Sequence, residues 1–429
     1  MSKLLIIADD LTGAMDTGVQ FSKLGISTLV TIKLDSWTPD ALRHEVLVVD
    51  TESRHDSLQA AYENIRRIAE WARNAGIPYL YKKTDSTLRG NVGSELAAAM
   101  DGFGSPTLCF APAYPSQSRT TRHGVMYVDR EPLTRSVFFD DPFSPIVSSW
   151  IPDILRSQTS KPALVVESGQ LDALDLSRQE EGSILVFDAE SDTDFDRIAA
   201  MLKRQPQART VLAGSAGLAR TLPDLIPFRY DAPPRPAAPG RVLVVCGSLN
   251  AVSRRQIARA ESEGVPSIEI DKRLLFASSG DARQKNEEQF DCARTMLRRG
   301  PALILKHKPL YLRDAPGIKT VKLPRTEGSP PFNIAIAVQT GAFVARLAAE
   351  TDVDLLLIVG GDTLFGILHS LHVREILPQE EILPGIVHSV VSHGGQELSF
   401  ITKAGGFGSE DTILNLIRSC VKRDDVSNY

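Results

Sequence analysis

Short apolar runs rich in β-branched residues alternate with amphipathic stretches of helical period along most of this chain. Such alternation is typical of α/β domains in which helices connect largely parallel strands. In the first half, five apolar runs are predicted as buried strands: residues 4–8, 28–32, 46–50, 79–82 and 107–111. Further strands are predicted at 163–166, 183–187 and 210–213. Between the third and fourth of these runs the helical period is clear, with Asp56 predicted to cap the helix and Gly76 to end it.

The alternation starts again after a proline-rich segment, residues 231–240. Proline fixes φ and lacks an N–H group, so this segment can join neither a helix interior nor a central strand. The 429 residues also exceed the length at which one core usually stops growing. We therefore expect two domains, residues 1–230 and 241–429, joined by the linker 231–240. Further strands are predicted at 241–246, 267–270, 302–305, 355–359 and 398–401, with an irregular loop over 313–332.

Composition argues against nucleic acid and membrane as partners. The 48 Lys and Arg residues are outnumbered by 53 Asp and Glu residues, which leaves no overall basic field to attract nucleic acid. No apolar run approaches the ~18 residues of a membrane span, and the N-terminal run is too short for a signal peptide. The four cysteines have neither metal-site nor disulfide-framework spacing, and Cys109 and Cys246 are expected to be buried. We expect a cytoplasmic protein whose oligomeric state is open, a homodimer being one option.

Charged and hydroxyl-bearing turns follow three predicted strands of the first half. Asp9 and Asp10 follow the first strand, Arg54 follows the third, and the polar run 82–85 ends the fourth. In an open parallel sheet, ligands collect outside the carboxyl ends of the strands, where these turns lie. Cationic side chains suit a substrate carboxylate, and an aspartate suits a proton from a hydroxyl group. The alternatives are helix capping for one aspartate, a surface salt bridge for Arg54, and an exposed charged turn for 82–85.

Glycine-rich turns follow predicted strands of the second half, at 247–248, 360–363 and 405–409. Glycine lets the backbone approach a phosphate closely, and a helix that begins there offers free amide groups. Together these turns predict a nucleotide cleft, although a tight turn capped by Asp362 would have the same sequence. The chain has neither a GxxxxGK[ST] P-loop nor a GxGxxG fingerprint with its later acidic residue. His388 and His393 have neither the spacing of two metal-binding histidines on a helix nor that of an HExxH motif. The sequence therefore does not identify residues that bind a metal.

Five motifs, in this order, resemble those of the four-carbon acid sugar kinases, formerly catalogued as a family of unknown function. They are ADD-x-TG, KK-x-DST-x-RGN-x-G, GS, GGDT and TKAGGFGS, at 8–13, 82–93, 247–248, 360–363 and 402–409. The resemblance implies two α/β domains, each with a largely parallel sheet flanked by helices, and a nucleotide cleft between them. It also implies an N-terminal domain that binds a tetronate, a C-terminal domain that binds ATP, and phosphoryl transfer to O4.

The resemblance also carries residue roles. Contacts with the sugar acid are implied for Asp10, Arg54, Lys82, Lys83, Thr84 and Asp85. Contacts with the nucleotide are implied for Ser248, Gly360, Gly361, Asp362, Thr363 and Gly405. We expect Arg54 and the two lysines to hold the substrate carboxylate, and Asp10 or Asp85 to accept the hydroxyl proton. Mg²⁺ is expected to bridge the ATP phosphates, with Asp362 as its carboxylate or as a helix cap.

The stretch 141–149, DPFSPIVSS, resembles the D-threonate kinase branch. The 3-oxo-tetronate kinases have His-Pro-Leu-Thr-Pro-Met in this region. We therefore expect O4 phosphorylation of D-threonate, with D-erythronate 4-kinase and 3-oxo-tetronate 4-kinase as alternatives. A remote alternative is an NAD-dependent sugar-acid dehydrogenase, which fits the α/β pattern, but this sequence lacks the dinucleotide fingerprint. A non-catalytic sugar-acid sensor would require an output module, and the sequence shows no DNA-recognition helix or basic face. A ribokinase-like sugar kinase would account for the GGD turn but not for the motifs of the first half.

Overall fold

The structure is a computed structural model in which two compact units are distinguished. The first unit comprises Met1–Pro234 and Leu377–Pro384, and the second comprises Arg235–Ile376 and Gly385–Tyr429. The described residues are 1–32, 41–136, 139, 146–205, 211–231, 236–238, 240–276, 280–307 and 332–421. Several sequence expectations lie outside them: half of the linker (232–235 and 239), the loop 313–331, and the branch-specific residues 141–145.

Buried strands of the first unit pair in parallel to form its main sheet, because their side chains are apolar on both faces. A small antiparallel sheet of β6, β7 and β8 lies apart from it. The strands of this unit are β1 (Leu4–Ala8), β2 (Thr28–Ile32), β3 (Val46–Asp50), β4 (Tyr79–Lys83), β5 (Thr107–Ala111), β6 (Arg119–Arg122), β7 (Val125–Val128), β8 (Glu131–Pro132), β9 (Ala163–Val166), β10 (Ser183–Phe187) and β11 (Val211–Gly214).

Helices connect these strands. They are α1 (Leu11–Ser22), α2 (Leu58–Asn74), α3 (Val92–Phe103), α4 (Ile151–Arg156), α5 (Asp192–Lys203), α6 (Ala216–Ala219) and α7 (Leu222–Leu225). Helix α2 buries one stripe of alanine and isoleucine side chains, as the helical period predicts. Its cap is Ser57, whose side chain accepts a hydrogen bond from the Ala60 amide at 3.2 Å. The prediction that Asp56 caps this helix was wrong, because the helix begins one residue later than that prediction requires.

The second unit repeats the alternation of strands and helices. The remaining strands are β12 (Val242–Cys246), β13 (Ser267–Ile270), β14 (Ala302–His307), β15 (Leu355–Val359), β16 (Glu375–Leu383), β17 (Ile386–His393) and β18 (Gln396–Lys403). The helices are α8 (Ala251–Ser262), α9 (Gly280–Arg299), α10 (Phe332–Glu350), α11 (Gly361–Ser370) and α12 (Thr412–Cys420). Cys109 and Cys246 are both buried, as their apolar neighbours indicate.

Both units have the same strand order around their first strand. In the first unit the order is β2-β3-β1-β4, and in the second it is β13-β14-β12-β15, with all neighbours parallel. In each unit the second and third strands lie on one side of the first strand, and the fourth strand lies on its other side. Such a reversal opens a crevice at the carboxyl ends of the first and fourth strands, where α/β proteins bind ligands.

The segment Leu377–Pro384, which contains most of β16, lies beside β2 in the first unit. Its Glu381 carboxylate accepts hydrogen bonds from Gln20 and Lys23, at α1 and just after it. This return of the chain is not predicted by the sequence, whereas the α/β class with largely parallel sheets is confirmed. In the part of the chain that the structure describes, no helix is long and apolar enough to cross a membrane.

Candidate active site

Arg54 lies among three carboxylates at the switch point of the first unit. Its Nε is 2.7 Å from Asp9 Oδ2, its Nη1 is 2.9 Å from Asp10 Oδ2, and its Nη2 is 3.8 Å from Asp85 Oδ1. The Arg54 side chain is only 12% exposed, so this is not a surface salt bridge. Burial alone would lower the pKa of Arg54, but the Asp10, Asp9 and Asp85 carboxylates hold that pKa well above its usual value. The turns after β1, β3 and β4 are thus joined electrostatically.

Asp10 caps helix α1 and also belongs to this charged cluster. Its Oδ1 accepts a hydrogen bond from the Gly13 amide at 2.9 Å, while its Oδ2 pairs with Arg54. A Cβ atom on Gly13 would lie 2.5 Å from Asp10 Oδ1 and 2.8 Å from Lys83 Nζ. A larger residue at position 13 would therefore displace the Asp10 carboxylate or the Lys83 ammonium from the start of α1. Asp10 therefore both caps helix α1 and belongs to the charged cluster around Arg54.

Asp85 is already saturated by side chains of its own turn. Arg89 donates to it from Nε at 2.8 Å and from Nη2 at 3.0 Å, and Thr87 Oγ1 donates at 2.5 Å. Burial works to raise the pKa of Asp85, but Arg89 and Arg54 lower it well below its ordinary value. This carboxylate therefore stays ionised and is a weak proton acceptor.

The two lysines that end β4 have different surroundings. Lys82 is fully buried, and its Nζ lies 2.8 Å from Glu95 Oε2 and 2.7 Å from the Lys83 carbonyl oxygen. The Lys83 ammonium donates to the Thr84 carbonyl oxygen at 2.8 Å and lies beside Gly13. The Thr84 hydroxyl oxygen is buried, and no described residue forms a hydrogen bond with it. The charge of Lys82 is thus neutralised within the protein, whereas Lys83 and Thr84 keep polar capacity for a ligand.

Asp16 is a member of this site that the motifs do not assign. It is 8% exposed on α1, and Tyr114 Oη donates to its Oδ1 at 3.5 Å. Burial raises the pKa of Asp16 to about 7, with Lys83 opposing this shift and Glu381 adding to it. A single charged residue, an aspartate, inside a buried helix is the sequence signal for such a residue. Glu381 has no comparable signal, because it comes from the distant segment around β16.

A pair of acidic side chains, Asp50 and Glu52, lies at the end of β3. The Glu52 amide donates to Asp50 Oδ1 at 3.1 Å, and Glu52 Oε1 accepts from the Leu11 amide at 3.3 Å. Burial raises the pKa of Asp50 well above its ordinary value, and the Glu52 carboxylate adds to that shift. Burial also raises the pKa of Glu52 to about 7, a shift that the Asp50 side chain opposes and the Asp10 carboxylate increases.

Glycine-rich turns converge at the switch point of the second unit. A Cβ atom on Gly247 would lie 2.0 Å from Thr363 Oγ1, and one on Gly405 would lie 2.4 Å from Ser248 Oγ. Gly360 has φ +115, a conformation that side chains other than glycine rarely adopt. The turns after β12, β15 and β18 therefore pack against one another because their glycines lack side chains.

Helix α11 begins within this cluster at a glycine. Its N-cap is Gly360, so its first-turn amide groups receive no hydrogen bond from an N-cap side chain. Such amides and the helix dipole favour a phosphate. Asp362 lies in the first turn. No group of three His, Cys, Asp or Glu side chains that could hold a metal occurs among the described residues, but Mg²⁺ on a nucleotide needs only one or two carboxylates.

Comparison with known proteins assigns the chain to a protein family. Residues 4–222 match a sugar-binding N-terminal domain, and residues 243–413 match a nucleotide-binding C-terminal domain. The D-threonate kinase of Salmonella typhimurium is 32% identical over 430 residues, which cover 97% of each chain. This chain belongs to the four-carbon acid sugar kinases. The resemblance seen in its five motifs is confirmed, and the protein is a phosphotransferase that acts on an alcohol group.

Other members of the four-carbon acid sugar kinases are also similar to it. The 3-oxo-tetronate kinase of Pseudomonas fluorescens is 28% identical over 428 residues, or 94% of each chain. A crystal structure from Salmonella typhimurium LT2 superposes with a TM-score of 0.77 at 22% identity, over 98% of this chain and 100% of that one. That likeness supports the fold. The family fixes a four-carbon acid sugar as the acceptor class and a phosphoryl donor such as ATP.

Proposed function

We propose that this four-carbon acid sugar kinase transfers the γ-phosphoryl group of ATP to the O4 hydroxyl of D-threonate. The observation that carries the proposal is the polar cluster at the switch point of the first unit. There the Lys83 ammonium and the Asp10 carboxylate both lie beside Gly13. The hydroxyl of the next residue, Thr84, is buried and has no hydrogen-bond partner among the described residues. A cation, a hydroxyl and a carboxylate together suit a small acid that carries several hydroxyl groups. The similarity to a D-threonate kinase favours this acid.

Lys83 and Arg54 are proposed to hold the substrate carboxylate. Arg54 makes close contacts with Asp9 and Asp10, which occupy two of its five N–H donors, and Asp85 lies farther away. Arg54 can therefore donate to a substrate while it orients the aspartates. Lys82 is proposed to contribute through position, because its pairing with Glu95 fixes the end of β4.

Asp10 is the proposed acceptor of the O4 proton. Its side chain is 22% exposed, against 4% for Asp9 and 10% for Asp85. Proton transfer requires a carboxylate within hydrogen-bond reach of the hydroxyl, and only Asp10 of the three offers such access. Asp85 is proposed to contribute by holding Arg54 and Arg89 rather than by accepting the proton.

The turns of the second unit are proposed to bind ATP through Ser248, Gly360, Gly361, Asp362, Thr363 and Gly405. The glycine contacts and the uncapped start of α11 support a polyphosphate here. Asp362 is proposed to hold Mg²⁺, whose charge would offset that of the phosphates. Phosphoryl transfer depends mainly on placement and charge neutralisation, so these side chains need supply little covalent chemistry.

The first test is ADP release by the purified protein with Mg²⁺ and ATP, against D-threonate, D-erythronate, L-threonate and 3-oxo-tetronates. The proposal expects strong turnover with D-threonate, and phosphorus NMR of the product should place the phosphate on O4. Faster turnover with D-erythronate or a 3-oxo-tetronate would assign the chain to another branch of the family. Silence with every acid, if ATP still binds, would leave the nucleotide assignment standing and contradict the acceptor.

A further inference from the structure

Lys403 is a buried cation without a counter-charge in the second unit. It ends β18 and is 1% exposed. Its Nζ lies 3.0 Å from the Ala404 carbonyl oxygen and 3.4 Å from that of Gly405. Among the described residues, no carboxylate forms an ion pair with it. Lys82, equally buried in the first unit, has Glu95 at 2.8 Å, so the two lysines differ in the partner that the protein provides.

A buried ammonium group without an anion is unfavourable, because carbonyl dipoles replace only part of its hydration. Burial lowers the pKa of Lys403 to about 8, and Cys246 opposes that shift. The two carbonyl oxygens take at most two of the three N–H donors of the ammonium group. The site therefore retains both a charge and a donor that a bound anion would satisfy.

The position of Lys403 identifies the anion. Its carbonyl oxygen accepts a hydrogen bond from the Gly360 amide at 3.1 Å, at the start of the GGDT turn. The next glycine, Gly405, packs against Ser248 Oγ. Lys403 thus lies at the strand ends where the glycine-rich turns converge. We propose that the Lys403 ammonium group binds the phosphate oxygens of the nucleotide and positions the polyphosphate for transfer. This inference rests on the nucleotide site of the proposed function.

The test compares Lys403→Met with the wild type by calorimetric titration with ATP, ADP and AMP in the presence of Mg²⁺. A charge-assisted contact with the β- or γ-phosphate predicts a loss of about tenfold to a hundredfold in affinity for ATP and ADP. The affinity for AMP should change by less than about threefold, because AMP lacks those phosphates. Lys285→Met is the matched control. Lys285 is exposed on α9, so this substitution removes the same charge at a position outside the site.

Thermal unfolding separates a ligand-binding role from a structural one. Lys403→Met should keep or raise the Tm of the nucleotide-free protein, because it removes an uncompensated buried charge, and should lose most of the stabilisation by ADP. Lys403→Arg, which retains the charge, should recover part of that stabilisation.

Unchanged affinity of Lys403→Met for ATP and ADP, or a lower nucleotide-free Tm with normal ADP binding, would overturn the role of Lys403 alone. A wild-type protein that binds no adenine nucleotide would overturn the nucleotide site together with it.

Discussion

Replacing Asp10 by asparagine tests the proposed proton acceptor with little change in shape. The amide oxygen can still accept the hydrogen bond from Gly13 that caps α1. The negative charge of Asp10 Oδ2, which lies 2.9 Å from Arg54 Nη1 in the wild type, is lost. Loss of a general base costs ~10²–10⁴ in rate. That loss corresponds to about 3–5 kcal/mol at 1.36 kcal/mol per tenfold. The lost charge-assisted contact would cost about 1.5–3 kcal/mol of stability. We expect kcat on D-threonate to fall by at least about a hundredfold, with ATP affinity unchanged.

The assay is coupled ADP release for kcat and KM, with calorimetry for ATP and urea unfolding for stability. Asp9→Asn is the matched control, because it also removes a carboxylate charge that pairs with Arg54; Asp9 Oδ2 lies 2.7 Å from Arg54 Nε. The Asp9 side chain is almost fully buried, so it is not expected to reach the substrate hydroxyl. If Asp10 acts only by holding Arg54, the two variants will lose similar amounts of turnover. Turnover of Asp10→Asn within about threefold of the wild type, far less than loss of a base predicts, would refute its role as the base.

Three further variants test other parts of the structure. Gly247→Ala should abolish nucleotide binding measured by calorimetry, because its Cβ would lie 2.0 Å from Thr363 Oγ1, while D-threonate binding should persist. Lys82→Met should lower the free energy of unfolding in urea by about 3–5 kcal/mol, because Glu95 would stay buried without its partner; a loss below about 1 kcal/mol would contradict this pairing. The pKa of Asp16 is raised to about 7 in the folded protein, from about 4 in the unfolded chain. The stability that comes from keeping this carboxyl protonated is therefore fully present below about pH 4 and is lost as the pH rises through 7. Asp16→Asn should therefore raise Tm more at pH 8 than at pH 5, and an equal change at both values would contradict the shift.

The sequence predicts most of the parallel strands because their residues are apolar on both faces, a pattern that tertiary context seldom overrides. The predicted runs at 4–8, 46–50 and 355–359 match β1, β3 and β15. The strands β16 and β17 were missed, because strands with one partly exposed face mix polar and apolar residues. Membership of Leu377–Pro384 in the first unit depends on contacts between residues some 360 positions apart, which local patterns do not encode.

The candidate site was predictable in place but not in detail. Strand ends and motif chemistry bring Asp10, Arg54 and Asp85 to one switch point, and the structure places them together. The difference between Lys82 and Lys83 could not be predicted, because it depends on Glu95, which α3 brings beneath β4. Spacing gives the strand that carries a charged residue, whereas the packing of a neighbouring helix decides whether that charge is already paired.

The two units show how one strand order supports two kinds of binding. Each has its first and fourth strands at a switch point, which fixes where a ligand collects but not what that ligand is. In the first unit the turns there carry Asp10 and Lys83, the side chains that we propose contact the sugar acid. In the second, Gly247 and Gly405 replace side chains by bare backbone, which suits the phosphates common to all nucleotides. Differences in acceptor specificity among related chains should therefore map to side chains of the first unit, and substitutions in the glycine turns should affect every acceptor equally.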